Sequence, residues 1–330
     1  MRYYYTVFDK NYLIQGLALY YSIHKFSDKF IFYVICIDNT AFETIKILQS
    51  KLKNIIPISV DKLLSNDVVV VRNKTTYGQF CWVCQPLGCE YILREYKHDR
   101  VTYLEADSLF FSDPEILFDE IGEKSVSLVP HNYSKGFDNS SKAGIFCTQF
   151  NSFRNTPESF EVIEFWKTNC FMYDKERRNE YPGQFCLNDW INFNSVKVVQ
   201  HPGAGVAPWN IQGKEVFADD IFVTIQNYPI VFYHFHQYAR TENKGHNLGS
   251  YPLTFSVINT IYRQYIFALR HAESEIKNSC PTFDYCRIAK MPTLKNFICF
   301  PSINNLKLIC NNFLRIIRGR RNVFEDSYFN

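Results

Sequence analysis

The run Arg100-Val101-Thr102-Tyr103-Leu104 has the composition of a strand and leads straight into Glu105-Ala106-Asp107, two carboxylates one residue apart. If the backbone stays extended through Ala106, both side chains point to one side of it. They would then offer hard oxygens to one divalent cation, Mn²⁺ or Mg²⁺, which also takes phosphate oxygens and water. A solvated junction between strand and loop can carry the same pair, so the flanking residues have to decide. Those residues run Phe110-Phe111-Ser112-Asp113-Pro114-Glu115. Asp113 reads as a helix N-cap, Pro114 as the first helical residue and Glu115 as a first-turn acid. The acids therefore lie on a tight strand-loop-helix segment, at the carboxyl end of a strand, where open α/β sheets bind ligands.

The elements that must hold this segment alternate. Residues 3–8 read as a strand, 11–25 as a helix with Leu13, Leu17, Tyr20, Tyr21 and His24 on one stripe, and 30–37 as a continuous apolar strand buried on both faces. A helix at 41–52, a strand at 55–60, a helix at 79–96 and the strand at 101–105 follow. Such alternation predicts an α/β fold built on a parallel, doubly wound sheet. Asp9 and Asp38 follow the first two strands, on the edge that carries Glu105 and Asp107, so one acidic cleft is expected; turn formation alone would also place acids there. Further strands are expected at 126–130, 145–150, 197–200 and 230–235, with a helix at 158–169. No repeat or flexible linker divides the chain.

With 330 residues, 46% hydrophobic and 17% aromatic, there is material for a large core. A net charge of +3 from 36 basic and 33 acidic side chains gives no global field for nucleic acid. The first residues lack a signal-peptide apolar region, no run reaches the length of a bilayer span, and the 11 cysteines are scattered, so a cytoplasmic location is expected. Cys81 and Cys84 have the spacing of half a zinc site, but Cys280 and Cys286 do not match it; buried thiols on a helix are expected instead. Between 294 and 321 apolar residues interleave with Lys295, Lys307, Arg315, Arg318, Arg320 and Arg321. That pattern suits either a segment lying on the anionic inner face of a membrane or a docked C-terminal helix.

Three more segments belong with the acids: Lys142-Ala143-Gly144-Ile145, the loop His201-Pro202-Gly203-Ala204-Gly205 through Asn210, and Phe232-Tyr233-His234-Phe235-His236. In this order, over about residues 3–260, the chain resembles the GT-A-fold glycosyltransferases of the glycogenin-like, retaining type, especially bacterial enzymes of lipopolysaccharide or capsule synthesis. Tyr103-Leu104-Glu105-Ala106-Asp107 is similar to their metal-binding signature, with glutamate at the first acid. His234-Phe235 is similar to the strand end that supplies a histidine ligand.

The resemblance implies a single Rossmann-like mixed sheet flanked by helices over 1–260, and the composition beyond it adds a C-terminal helical basic and apolar extension over 261–330. It implies Mn²⁺ (or Mg²⁺) held by Asp107, His234 and Glu105, although the longer arm of Glu105 can instead reach the metal through water or contact ribose. Phe8, Asp9, Asp38, Glu105, Ala106, Lys142, Gly144, Gly203 and His236 are the implied nucleotide-sugar contacts, and His236 either lines the pocket or meets phosphate. The family's aspartate-glutamine pair under the sugar has no direct match, and the nearest polar pair, Asn188-Asp189, is the expected catalytic one. Lys142 and Lys244 are the expected cations near the diphosphate. The implied activity is transfer of a hexose from a UDP-sugar to a glycan or lipid-linked glycan acceptor with retention. A nucleotide-sugar-binding protein with little catalysis is the alternative; a sugar nucleotidyltransferase would need a glycine-rich basic loop that Asp9-Lys10-Asn11 does not provide.

Overall fold

The computed structural model describes residues 1–171, 182–218, 222–243, 245–288 and 322–329. Its first part is β1 (Arg2–Phe8), α1 (Leu13–His24), β2 (Phe30–Cys36), α2 (Asn39–Gln49), β3 (Ile55–Ser59), α3 (Asn66–Lys74), α4 (Tyr77–Tyr96) and β4 (Arg100–Leu104). The expected bounds hold to within three residues. Only α3 has no counterpart in the sequence-based expectation, because the run Val68 to Val71 favours a strand; Ser65 caps it through the backbone N–H of Val68 at 3.4 Å.

Next along the chain come β5 (Ser108–Phe110), β6 (Val126–Pro130), β7 (Phe146–Cys147), β8 (Phe150–Arg154) and β9 (Val196–Val198). A three-stranded meander follows, β10 (Val216–Ala218), β11 (Val223–Ile225) and β12 (Tyr228–Pro229), and then β13 (Phe232–His234). The main sheet runs β3-β2-β1-β4-β8-β6-β7, with β9 beside β6. Its first four strands are parallel; β8 then runs against β4, and β6 against β8. The single strand expected at 145–150 is two, β7 and β8, because the chain turns at Thr148 and Gln149.

Alternation along β1 and β2 explains why both are apolar throughout. Tyr4, Phe32, Val34 and Cys36 face the core under α1 and α2, whereas Tyr5, Val7, Tyr33 and Ile35 face α4 and the helix Pro157–Phe171. α1 is buried nearly all round instead of along one stripe, since the helix Arg263–Ser279 covers its far side; Tyr21 packs against His271 with ring centroids 4.6 Å apart. α4 begins in a capping box between Thr76 and Gln79. Pro86 within it has no N–H for the carbonyl of Trp82, and the Cys170 thiol donates to that oxygen at 3.9 Å. Cys84 and Cys89 are buried thiols of this helix, and Cys81 is half-buried.

The described part of 261–330 is built into the same body. Ile261, Tyr265, Ile266 and Leu269 share the core of α1, and Val323–Phe324 pairs with His246–Asn247. The segment 294–321, with its apolar and basic residues, lies outside the described residues. Among the described residues no helix is long and apolar enough to cross a membrane.

The loop from His201 to Asn210 depends on two glycines. A Cβ on Gly203 would overlap the carbonyl oxygen of Pro229, and Gly205 has φ +69° with its Cα against the Gln149 amide. Gly205→Ala is expected to lower the stability measured by urea unfolding by about 1–3 kcal/mol; the exposed Gly136 also has a positive φ, +86°, but nothing within 4 Å, so Gly136→Ala carries the backbone strain without the overlap and is expected to cost less.

Candidate active site

The carboxyl ends of β1 and β4 open onto a cleft of about 380 Å³. Asp9, just past β1, accepts from the backbone N–H of Asn11 at 3.0 Å and starts the turn Lys10–Tyr12, so Phe8, Asp9 and Tyr12 form one wall. Asp38, past β2, accepts from the N–H groups of Ala41 at 2.8 Å and Lys10 at 2.9 Å. It thereby caps α2 and ties the two strand ends together, and it reaches the cleft only through Tyr77, whose hydroxyl lies 3.5 Å away.

Glu105 and Asp107 do not lie along an extended strand. The N–H of Ser108 bonds the carbonyl of Glu105 at 3.1 Å, so the chain turns at Ala106 and Asp107. The turn still delivers both carboxylates to the cleft. β5 emerges from it and pairs antiparallel with β13, placing His234 opposite Ser108. The Phe235 N–H bonds the Asp107 carbonyl at 2.8 Å, and the His234 Nε2 comes within 3.1 Å of the Asp107 Oδ1. On the other side of the ring, Nδ1 lies 3.2 Å from the Gln149 Oε1. With the amide oxygen toward the ring, Nδ1 carries a proton and Nε2 is aimed at Asp107.

Charge in this site is distributed unevenly. Burial would raise the Asp107 carboxyl, but the charge and hydrogen bond of His234 outweigh it and bring it down to about 2. Burial opposes a charged His234 as well, and Asp107 reverses that, leaving the imidazole well above its ordinary range. Glu105 is pushed up to about 7, first by burial and then by the neighbouring Asp107 charge. Its Oε1 accepts from Thr148 at 3.0 Å and Gln85 at 3.3 Å. Burial, followed by the His234 charge, lowers His236 to about 4.

A carboxylate oxygen and an imidazole nitrogen meeting in a buried cleft form a donor set that suits Mn²⁺. Among the described residues no three His, Cys, Asp or Glu side chains stand ready as a metal cage. Asp107 and His234 are the pair in contact, and Glu105 stands behind them, tied to Thr148 and Gln85.

Several expected contacts lie elsewhere. Asn188 accepts from the backbone N–H of Ile145 at 2.8 Å, Asp189 is exposed, and neither lines the cleft. From that segment it is Gln184 that lines it, near Thr148 and bonded through Nε2 to the carbonyl of Ala143 at 3.0 Å. Lys142 is exposed on the short helix Ser140–Ala143; Gly144, with φ +79°, packs beneath Asn188; and Gly203 serves the meander behind the site. Lys244 lies outside the described residues. Phe8, Asp9, Glu105, Ala106, Asp107, His234 and His236 do line the cleft together. The sequence reading missed Arg287, the one Lys or Arg among the described residues that line it, and an aromatic end formed by His131, Tyr133, Trp209 and Tyr251.

No family model matches the chain. Among curated proteins it is 27% identical over 288 residues to uncharacterized protein YfnD of Bacillus subtilis (strain 168), covering 84% of this chain and 92% of that protein. It is 26% identical over 251 residues to uncharacterized protein YfnF of the same strain, covering 71% and 81%. Among solved structures, the galactosyltransferase LgtC in complex with donor and acceptor sugar analogs superposes with a TM-score of 0.50 at 14% identity, over 82% of this chain and 95% of LgtC. The glycosyltransferase GlyE of Streptococcus pneumoniae TIGR4 gives 0.51 at 15% identity, over 88% of this chain and 66% of GlyE. The fold is that of the GT-A glycosyltransferases.

With no metal present the cleft has to keep Glu105 buried beside Asp107. A carboxyl raised from 4.5 to about 7 binds its proton more tightly folded than unfolded, so its burial costs nothing below pH 4.5 and progressively more as pH rises to 7. In chelator, Glu105→Gln is therefore expected to raise the melting temperature at pH 8 and to change it little near pH 4.5. An equal change at both pH values would contradict the shift.

Proposed function

We propose that this chain is a metal-dependent glycosyltransferase that moves a hexose from a nucleotide diphosphate sugar, specifically a UDP-sugar, to a glycan or lipid-linked glycan acceptor with retention of configuration. The observation that carries this reading is the convergence of Asp107 and His234 in a cleft at the carboxyl ends of parallel strands in a GT-A fold. Acceptors of the lipopolysaccharide, O-antigen or capsule type follow from the sequence resemblance, and the donor and acceptor analogs bound by LgtC place both substrates in a protein of the same fold.

The chain's own residues divide the work by position. Phe8, Asp9 and Tyr12 offer the nucleoside an apolar wall and a ribose acceptor. Asp107, His234 and, once ionised, Glu105 would hold Mn²⁺, which when bound supplies a Lewis acid for charge gathering on the leaving diphosphate. Gln184 is the residue assigned to the transferred sugar, and its carboxamide oxygen accepts from the Thr148 backbone N–H at 3.4 Å and the Cys147 thiol at 3.5 Å. Tyr133, Trp209 and Tyr251 give the far end flat apolar surfaces of the kind a sugar ring packs against.

A nucleotide-sugar-binding protein with little turnover is the second reading, favoured by the hydrogen bonds that hold Glu105 back on Thr148 and Gln85. Thermal shifts with UDP-, GDP- and CMP-sugars separate ligand classes, since a true donor stabilises the fold by mass action. Stabilisation by a UDP-sugar that needs Mn²⁺, with slow hydrolysis of the same compound, is expected. Asp107→Asn should reduce that hydrolysis by about 100-fold or more, and undiminished turnover in this variant would overturn the mechanism. Tight UDP binding with no turnover on any acceptor would favour the second reading.

A further inference from the structure

A nucleoside diphosphate is strongly anionic, yet the lining of the cleft includes Asp9, Glu105 and Asp107. Of the lysines expected to offset that charge, Lys142 is exposed on its own short helix and does not line it, and Lys244 lies outside the described residues. Among the described residues the cation that lines the cleft is Arg287, from a part of the chain far in sequence from every other site residue. Its guanidinium lies 5.3 Å from the centre of the Tyr12 ring, so the cation is stacked on the wall that follows β1. Two residues earlier, Tyr285 receives Lys10 at 4.5 Å, so the segment is joined to the turn Lys10–Tyr12 by two such contacts. Its backbone is fixed as well: the Arg287 carbonyl accepts from Arg240 N–H at 2.9 Å, Ile288 bridges to Arg240, and Phe283 is buried in the core. The charge of Arg287 is felt by both Asp107 and His236, which places it at the junction between the acids and the second histidine.

We infer that Arg287, stacked on Tyr12, is the anion-binding residue of the cleft and grips the diphosphate of the nucleotide ligand. The inference rests on the proposed nucleotide reading and adds to it the residue that neutralises the leaving group from the protein side. A guanidinium presents a planar fork of donors to two phosphate oxygens, and a lysine at the same point supplies charge without the fork. The ring of Tyr12 holds the plane of that fork in place before the ligand arrives.

Calorimetric titration of the full chain with UDP, uridine and inorganic pyrophosphate, each in Mn²⁺, tests this. Arg287→Gln, which removes the charge and shortens the arm but keeps a polar amide, should weaken UDP and pyrophosphate about 10- to 100-fold and leave uridine unchanged; Arg287→Lys should fall between. Far-UV circular dichroism and melting temperature establish that each variant is folded. Equal UDP affinity in the parent chain and Arg287→Gln would overturn the inference, and so would an equal loss of UDP and uridine, which would make Arg287 a prop for the Tyr12 wall. Pyrophosphate bound in an Arg287-dependent way without any UDP binding would support the anion site and overturn the nucleotide reading. Binding of none of the three probes by the parent chain would overturn both.

Discussion

The site hangs on one backbone ladder. β5 leaves the turn that carries Asp107, β13 ends at His234, and their antiparallel register sets the imidazole 3.1 Å from the carboxylate. Bringing two ionisable groups out of water is expensive unless geometry and further hydrogen bonds compensate for it. Here the ladder supplies the geometry, and Gln149 holds the other face of the ring. The supports reach outward from this pair. Gly205 packs its backbone against Gln149, the Val206 carbonyl accepts from His234 N–H at 2.9 Å, and Phe235 stacks on Tyr265 of the helix Arg263–Ser279 at 3.6 Å. The helix that covers α1 is therefore also a buttress of the site.

The parallel half of the fold was legible because its signals are local. Continuous apolar residues in β1 and β2 report burial on both faces, and Thr76 with Gln79 caps α4 within four residues of sequence. The edge on which the acids gather follows from strand direction alone. What was not legible depends on turns and on distant pairing. Whether Ala106 is extended or turned is decided by the Ser108 to Glu105 hydrogen bond and by β13, which lies more than 120 residues further along the chain. The carboxylates reach the cleft either way, so no local residue pattern separates the two geometries by their outcome.

The same limit explains the polar pair that was misplaced. Gln184, Asn188 and Asp189 belong to one short helical stretch, and the helical phase decides which faces the acids. Asn188 is drawn to the exposed end of Ile145 N–H, and Gln184 turns inward to Thr148. Arg287 had no local signal, since nothing in the residues around it has a recognisable period. Its position comes from the strand-like bridge of Ile288 to Arg240 and from two cation–ring contacts with the turn after β1, Arg287 on Tyr12 and Lys10 on Tyr285.

Glu105 stands where the resembled glycosyltransferases carry aspartate; burial raises its carboxyl, and it lies behind the Asp107–His234 pair, not within it. Under the proposed function Asp107 and His234 would hold the metal, with Glu105 joining them once ionised. Pulsed electron paramagnetic resonance of Mn²⁺ bound to the full chain with UDP tests it most directly. A ¹⁴N coupling to manganese that disappears in His234→Gln is expected; a bound Mn²⁺ with no nitrogen coupling, or one unchanged by that substitution, would contradict it.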